Sequence, residues 1–256
     1  MNILVCLKQT FDTEEKVVLD GGRVKEDGVR FVINPYDEYA VEEALRLKEA
    51  HGGQVTLISV GPERTEDAIR TALAMGADEA VLADDETLFG DEYTAAKVLA
   101  AIVKKRDYDI ILAGNQAVDD GSGQVAVRLA EELEIPHIST LTELSVADGV
   151  VTGRRDAEGD EEVVTAKLPV LVTAQQGLND PRYPSLIGIR KAGKKPLEHV
   201  TAEDLGLTAE DLQVPSQITE TFLPKPKEGG KILSGELSSQ VAELIASLKS
   251  VDKVLD

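Results

Sequence analysis

The fold class can be read from the stretch 55-VTLISVGPERTEDAIRTALAMGADEAVLA-83, in which two apolar runs flank a segment with a different period. The first run, Val55–Val60, is continuous and ends at a Gly-Pro turn, which is typical of a buried strand. Between residues 68 and 73 the apolar positions recur with helical spacing, and Gly76 is placed to end that helix. The second run, Ala80–Ala83, indicates a short strand. Strand, helix and strand in this order predict a parallel sheet.

The same alternation continues on both sides of this stretch, from the N-terminus to about residue 135. Asn34-Pro35 offers an N-cap and a proline that suits the first turn of a helix. The chain is therefore predicted to be of the α/β class, with a doubly wound parallel sheet covered by helices on both faces. Ligands of such sheets bind beyond the carboxyl ends of the strands. The remaining strands are expected at Ile3–Leu7 and Tyr108–Ala113, and the remaining helices after Asn34 and around residues 95–102 and 125–133.

The rhythm changes near residue 138, where short strands separated by tight turns replace the helices. The pairs Asp148-Gly149 and Glu158-Gly159 are of the kind that closes a two-residue hairpin. We therefore expect antiparallel strands appended to the parallel core. Their predicted bounds are Ile138–Val146, Val150–Arg155 and Glu162–Ala166, followed by one more apolar strand at Leu168–Ala174.

The C-terminal part of the chain is mixed and acidic until a last amphipathic helix. This helix places Leu237, Val241, Leu244, Ile245 and Leu248 on one face. A partner chain or the protein's own core could cover that face, and the sequence leaves both possibilities open. We predict an α/β domain over residues 1–196, which includes a loop at 178–196, and a C-terminal arm with the last helix over residues 197–256.

Composition and charge exclude several classes of function. The chain has 27 basic and 47 acidic residues, for a net charge of −20, which argues against binding to nucleic acid or to an anionic membrane. The sequence contains no apolar run of about 18 residues, so no membrane-spanning segment is expected. The N-terminus resembles a first strand instead of a signal peptide. With Cys6 as its only cysteine the chain has no internal disulfide, and the cytoplasm is the expected location. The three histidines are scattered and form no catalytic order, so the chain resembles a binding protein more than an enzyme.

The segment 114-GNQAVDDGSGQVAVRLA-130 joins a predicted strand end to a helix start. Gly121 and Gly123 would let the backbone approach a ligand, and Ser122 and Gln124 could add hydrogen bonds. The helix N-terminus behind them favours an anion, which together predicts a phosphate cradle. An ordinary β–α turn remains the alternative. The segment lacks the lysine of a nucleoside-triphosphate loop and carries two aspartates, so a monophosphate, or a diphosphate held by backbone amides, fits better than a triphosphate.

A second candidate, Asn34-Pro35-Tyr36-Asp37, also precedes a predicted helix. It could form a wall for the base or ribose of the same ligand, or it could serve only as a helix cap. The first strand ends with Cys6-Leu7-Lys8 and the second with Val60-Gly61, and in a parallel sheet these ends lie on one rim. Several turns on one rim predict a nucleotide pocket.

The loop 178-LNDPRYPSLIGIRKAGKKP-196 is basic in an otherwise acidic chain. It has five basic residues and one acid, Asp180, and Pro181 and Pro184 stiffen its first half. The chain thus places an apolar tip on a stiff basic stem, and the residues alone are also compatible with a merely basic surface turn.

Four stretches in this order resemble the β subunit of electron transfer flavoprotein: NPYDEYAVEEALRLKE, RTALAMGADEA, GNQAVDDGSGQ and LNDPRYPSLIGIRKAGKKP. The resemblance covers Met1 to about Leu207. It implies a fold of the Rossmann-like or adenine nucleotide alpha hydrolase-like kind and a heterodimer with an α subunit that holds most of the FAD. It also implies a structural AMP in the adenylate-binding domain 1–196, where Ala126 replaces a glycine of the family, and contact of the 197–256 arm and its helix with the α subunit. The AMP site implied by the resemblance comprises Cys6, Asn34, Pro35, Tyr36, Asp37, Val60, Ala117, Val118, Asp119, Asp120, Gly121, Ser122, Gly123, Gln124, Val125, Ala126, Val127 and Arg128.

The resemblance also implies a role for the 178–196 loop as the anchor for dehydrogenase partners, with Leu186 at its tip. Electrons would pass from acyl-CoA and related flavin dehydrogenases, through the FAD of the complex, to a membrane quinone oxidoreductase. No substrate turnover by this chain itself is expected. Glu162 matches a family acid that helps the flavin domain to settle. The other partner-binding residues implied are Arg182, Tyr183, Pro184, Ser185, Ile187, Gly188, Ile189, Arg190, Lys191, Lys194 and Lys195.

Two alternatives remain at this stage. A flavin-bifurcating β subunit would hold a second FAD in place of AMP and take hydride from NADH, although the form LNDPRYPSL is associated with the non-bifurcating type. A stand-alone protein that binds or hydrolyses adenine nucleotides is the other alternative, but it leaves the 178–196 loop unexplained.

Overall fold

The computed structural model of this chain describes residues 1–227 and 229–250. Residue 228 and the last six residues of the predicted arm lie outside the described residues. The strands are β1 Asn2–Cys6, β2 Gln9–Phe11, β3 Leu19–Asp20, β4 Arg23–Val24, β5 Phe31–Ile33, β6 Gln54–Val60, β7 Glu79–Ala83, β8 Ile110–Gly114, β9 His137–Ala147, β10 Val150–Ala157, β11 Asp160–Lys167, β12 Val170–Ala174 and β13 Leu197–Val200. The helices are α1 Pro35–His51, α2 Glu66–Met75, α3 Glu92–Val103, α4 Val125–Glu132, α5 Leu186–Ala192, α6 Ala202–Leu205 and α7 Leu237–Ser250.

A nine-stranded sheet with the order β11-β10-β9-β12-β8-β1-β6-β7-β13 forms the centre of the molecule. From β9 to β13 each neighbouring pair is parallel, and β10 and β11 add antiparallel pairs at one edge. The predicted doubly wound α/β sheet with appended antiparallel strands is thereby confirmed. The chain leaves β1 for β6 on one side and later returns to β8 on the other, so the strand order reverses between β1 and β8.

Two apolar clusters cover the two faces of the sheet. The central strand β1 contributes to both, since Ile3 and Val5 belong to one cluster and Leu4 to the other. Helices α1, α2 and α5 contribute buried residues to the first cluster, and α3, α4 and α6 to the second. Burial on both faces explains why the parallel strands are continuous apolar runs in the sequence instead of alternating ones.

The hairpin turns form where the sequence predicts them. Asp148 and Gly149 have φ values of 51° and 75°, and Glu158 and Gly159 have 50° and 98°, as two-residue turns of this type require. One detail differs from the prediction, because β9 is not antiparallel throughout. Its first residues pair in parallel with β12 and its later ones antiparallel with β10. Thr140, with φ of 61°, lies at the register shift in the pairing of β9 with β12, just before the pairing with β10 begins.

The end of the chain contains one element that the sequence does not predict and one that it does. Strand β13 joins the sheet beside β7 as its last member, although nothing in its four residues marks a buried strand. The predicted last helix forms as α7, and its apolar face is exposed, with Leu237 at 75% and Leu244 at 49%. Among the described residues α7 buries none of its side chains. No helix within the described part of the chain has the length and apolar content to cross a bilayer.

Candidate functional site

A cavity of about 670 Å³ opens at the carboxyl ends of β1, β6 and β8, where the strand order reverses. Ligand pockets commonly have volumes of ~300–1,000 Å³, and this position is the one at which doubly wound sheets bind ligands. The apolar wall of the cavity includes Ile58, Val60, Leu88, Phe89 and Leu99. Much of the polar wall comes from the β8–α4 loop, so the cavity can accept a ligand that has both an apolar and a polar part.

The structure brings many of the sequence-predicted residues to this cavity. Those that line it are Cys6, Asn34, Asp37, Val60, Ala117, Asp120, Ser122, Gly123, Gln124, Val125 and Ala126. The others in the predicted set flank the lining without being part of it, and they are Pro35, Tyr36, Val118, Asp119, Gly121, Val127 and Arg128. The role of the whole set in binding a nucleotide stays a prediction.

Asp37 is a buried acid that lines the cavity and joins two strands of the sheet. Its carboxylate accepts hydrogen bonds from the backbone N–H of Lys8, at 2.7 Å, and of Gly114, at 3.0 Å. Those two residues follow β1 and end β8, so one side chain joins the strands between which the order reverses. Burial raises the pKa of Asp37 to about 7, although the hydrogen-bond donors and the charge of Lys8 oppose the shift.

Gly114 is required by this close approach. A Cβ added there would lie 2.3 Å from the Asp37 carboxylate oxygen and 2.7 Å from the Cβ of Tyr36. The sequence marks this glycine only as the end of a strand, whereas the structure shows that the start of α1 packs directly over it.

Asn34 has a different role from the helix cap that the sequence offers as one possibility. Its backbone carbonyl starts α1, but among the described residues its side chain makes no capping hydrogen bond. The side-chain nitrogen instead donates to the carbonyl of Gln116, at 2.8 Å, and the side-chain oxygen accepts from the N–H of Val118, at 3.1 Å. Asn34 thus fastens the β8–α4 loop to the start of α1, so the two candidate segments form one site.

The β8–α4 loop leads into helix α4 along the wall of the cavity. Gly121 and Gly123 have φ values of 65° and 61°, a left-handed conformation that side chains disfavour. Within the described residues no side chain caps α4, since Gln124 turns its side-chain oxygen to Arg128 instead. The first N–H groups of α4 therefore lack an intrahelical partner at a position that lines the cavity, and a phosphate could accept from them.

The side chains beside this loop provide no net positive charge that would attract a phosphate. Lys8 donates to Asp119 and to Asp120, each at 2.8 Å. Burial opposes the charge of Asp120, but hydrogen bonds from Lys8 and Ser122 outweigh it and lower the pKa of that carboxyl group. One cation is therefore matched by two anions, and this negative charge repels a ligand more strongly the more phosphate charge it carries. A triphosphate is thus disfavoured relative to a ligand with fewer phosphates.

Cys6 ends β1 and faces the same cavity. Burial, with a smaller contribution from the negative charge of Asp37, raises the pKa of its thiol far above the usual range. A thiol that remains protonated is a poor nucleophile, so Cys6 serves as part of the apolar wall.

A segment from the C-terminal part of the chain completes the cavity and is missed by sequence reasoning. We call residues 213–218 the strap, of which Val214, Ser216, Gln217 and Ile218 line the cavity. The backbone N–H and the hydroxyl of Ser216 both donate to the same Asp91 oxygen, at 3.1 and 2.8 Å. Asp91 also caps α3 through its other oxygen. Pro215 is the only sequence signal of an ordered segment there.

The 178–196 loop is partly helical, since α5 begins immediately after Ser185, whose side chain caps it. Its apolar tip is exposed, with Tyr183 at 94% and Leu186 at 82%, and Ile187 and Ile189 are also exposed. Gly188 allows α5 to lie directly against the end of α2, because a Cβ there would be 2.2 Å from the carbonyl oxygen of Ala74.

The basic residues of this loop fall into two groups. Arg190, Lys191 and Lys194 are exposed. Lys195 instead donates to the carbonyl of Leu73, at 2.8 Å, and Arg182 is paired with acids of α1. Glu162 is the one predicted partner-binding residue outside the loop. It lies on β11 and pairs with Arg155 at 2.7 Å.

Comparison with known proteins agrees with this architecture. The model of the electron transfer flavoprotein domain family matches residues 21–205. The chain is 52% identical to the electron transfer flavoprotein subunit beta of Bacillus subtilis, over 100% of both chains. It is 40% identical to the subunit of the same name from Syntrophomonas wolfei, over 99% of this chain and 98% of that one. It is also 37% identical to the caffeyl-CoA reductase-Etf complex subunit CarD of Acetobacterium woodii, over 97% and 98%.

Proposed function

Because the chain belongs to the electron transfer flavoprotein family, as a β subunit, we propose that it is the AMP-binding, partner-docking half of a heterodimeric electron carrier. It pairs with a larger α subunit that holds most of the FAD. The complex accepts electrons from acyl-CoA and related dehydrogenases and delivers them to a membrane quinone oxidoreductase. The chain turns over no substrate of its own, and its expected location is the cytoplasm.

The observation that supports AMP best is the cavity itself. Its apolar wall suits a purine, and the backbone amides at the start of α4 suit a phosphate. Lys8 is already matched by Asp119 and Asp120, so the site offers hydrogen bonds more than charge. This favours a monophosphate over more highly charged nucleotides.

FAD would supply the redox chemistry when the two subunits are assembled. The contribution of this chain is to hold the α subunit and to present the complex to its partners. The apolar face of α7 is exposed in the single chain and is the surface we assign to the α subunit. Burying such a face against a partner helix or groove is a common mode of recognition.

The docking role is assigned to the tip of the 178–196 loop. Leu186 is the most exposed aliphatic residue of α5, and exposed apolar anchors of this kind dominate many protein interfaces. The exposed cations Arg190, Lys191 and Lys194 can steer this tip toward an acidic surface. Replacement of Leu186 by Ala should lower dehydrogenase-to-carrier transfer by a factor that corresponds to ~2–4 kcal/mol, with FAD content unchanged.

Nucleotide extraction tests the proposal. The isolated chain is expected to release AMP and to show no flavin absorbance, and the complex with the α subunit is expected to be yellow with one FAD and one AMP. Two FAD per complex would instead support the bifurcating alternative. A chain that contains flavin by itself, or that binds no adenylate, would refute the proposal. ATP consumption by the purified chain would revive the stand-alone alternative.

A further inference from the structure

The first half of the 178–196 loop is bound to α1 by a charge cluster in which the Glu42 carboxylate is buried. We infer that Glu42 is a positioning residue, which holds the apolar tip of the loop in the orientation that a redox partner recognises. This inference rests on the docking role in the proposed function. Glu42 lies on α1 and is not part of the exposed tip, so it would act only through the loop.

Glu42 binds Arg182 with both of its carboxylate oxygens. Arg182 donates from Nε to Oε2 at 2.8 Å and from Nη2 to Oε1 at 3.0 Å, and its backbone N–H donates to Oε2 at 3.1 Å. The loop backbone is therefore fixed together with the side chain. Burial alone would raise the pKa of Glu42, but the hydrogen bonds from Arg182 outweigh it and lower that pKa, so the carboxylate stays charged at neutral pH.

A second contact fixes the loop three residues earlier. The side-chain nitrogen of Asn179 donates to the carbonyl of Tyr39 and to the carboxylate of Glu43, both at 2.9 Å. Asn179 is buried, as are Glu42 and Glu43. Consecutive acids of one helix thus hold both ends of the segment 179–182, and Pro181 within it removes further freedom.

The far end of the loop is fixed in a similar way, against α2. Arg70 donates to the carbonyls of Ala192, at 2.9 Å, and Lys195, at 3.0 Å, while the Lys195 side chain returns to α2. Between the two anchors lie the exposed tip residues Tyr183 and Leu186. An apolar tip between two rigid anchors needs little ordering when it docks, which improves affinity.

The carboxylates that bind Arg182 offer a matched pair for the test. The Glu42 side chain is 4% exposed, whereas the Glu49 side chain, which pairs with the same guanidinium, is 61% exposed. Exposed ion pairs contribute little and buried ones are sensitive to the loss of one partner. Glu42 should therefore determine the position of the loop, and Glu49 should matter much less.

The experiment compares Glu42→Gln, Glu49→Gln and Leu186→Ala in the assembled αβ complex, with an acyl-CoA dehydrogenase as the electron donor. For Glu42→Gln we expect the KM for the carrier to rise about tenfold with a much smaller change in kcat, because one or two tip side chains would have to be ordered again on docking. Amide hydrogen exchange at residues 178–186 should become faster. Glu49→Gln should change KM less than about threefold.

The double variant Glu42→Gln/Arg182→Gln covers the case in which the single variant does not fold, since it leaves no buried charge unpaired. It is expected to show the same faster exchange and the same rise in KM. If Leu186→Ala raises KM but neither Glu42 variant changes KM or exchange, the inference is overturned and the proposed function stands. If Leu186→Ala leaves KM unchanged, the docking role itself fails and the inference fails with it.

Discussion

At the scale of single residues, Asp37 is the buried acid that joins two strands at the cavity. It ties Lys8, which follows β1, to Gly114 at the end of β8, while its carboxyl group is almost fully removed from water. Burying a carboxylate is costly even when backbone donors satisfy it, so the folded protein holds the proton on Asp37 more tightly than the unfolded chain does. The stability of the fold should therefore depend on pH in the neutral range.

The sign of this dependence follows from the raised pKa. Asp37 titrates near 3.8 in the unfolded chain and at about 7 in the fold, so its contribution is fully present below ~4 and is lost as pH rises through 7. We expect the free energy of unfolding of the wild type, relative to Asp37→Asn, to fall by up to about 4 kcal/mol between pH 4 and pH 8. Urea unfolding of both proteins across this range measures it. A difference that is independent of pH would show that Asp37 is ionised throughout.

Gly114 gives a prediction that does not involve charge. A methyl group there would overlap Asp37 and Tyr36 at distances that side chains do not adopt, so Gly114→Ala should destabilise the fold by ~1–3 kcal/mol. The matched control is Gly193→Ala, because an added Cβ at Gly193 meets open space in the described part of the chain, and its effect should stay within about 0.5 kcal/mol. Thermal unfolding compares them, and equal midpoints would contradict the close packing.

At the scale of elements, the strap joins the end of the chain to the mouth of the cavity. One Asp91 oxygen accepts both donors of Ser216, while the other oxygen caps α3. The carbonyl of Gln213 also accepts from the Thr94 hydroxyl, at 3.3 Å. A ligand in the cavity would be covered by this segment, so the attachment should control how fast the ligand leaves.

If the cavity holds AMP as proposed, Ser216→Ala should make the loss of that AMP from the proposed complex about fivefold faster, since one hydrogen bond to a carboxylate is removed. Exchange of bound AMP with labelled AMP measures the rate. Ser234→Ala, in the same arm but outside the cavity lining, is the control and should exchange at the wild-type rate. Identical rates for the two variants would show that the strap does not retain the nucleotide.

At the scale of the whole molecule, the apolar faces of the sheet are covered, but the apolar face of the last helix is not. The sheet is covered by apolar clusters on both faces, whereas α7 leaves an apolar face exposed at the end of the arm. Exposed apolar faces of this length usually mark a contact with another chain. The α subunit is the partner that we propose for it.

The variant Leu244→Asp should therefore weaken assembly with the α subunit without destabilising this chain alone. Leu244 lies on the apolar face of α7, and Ala246 lies on the opposite side of the same helix, so Ala246→Asp is the matched control. Co-purification of the two subunits should be lost for the first variant and retained for the second. Retained assembly in both would assign the contact to another surface.

Local sequence patterns account for most of the sheet and for both hairpin turns. Buried strands appear as continuous apolar runs, amphipathic helices repeat every three or four residues, and Asp148-Gly149 favours left-handed turn conformations. These preferences depend on neighbours a few residues apart, so they can be read without the fold. The resemblance to a family added the candidate site residues, because residue types alone left the cradle and an ordinary turn equally open.

Contacts between distant residues decided the rest. Asn34 could cap a helix by its sequence context, yet its side chain holds a loop more than 80 positions away. Glu42 could have been a solvated helix residue, but Arg182, 140 positions later, buries and pairs it. Strand β13 and the strap likewise lack a local signature, since a sheet edge and a cavity mouth supply their partners. Local chemistry sets which conformations a segment prefers, and only packing of the whole chain selects which polar groups meet.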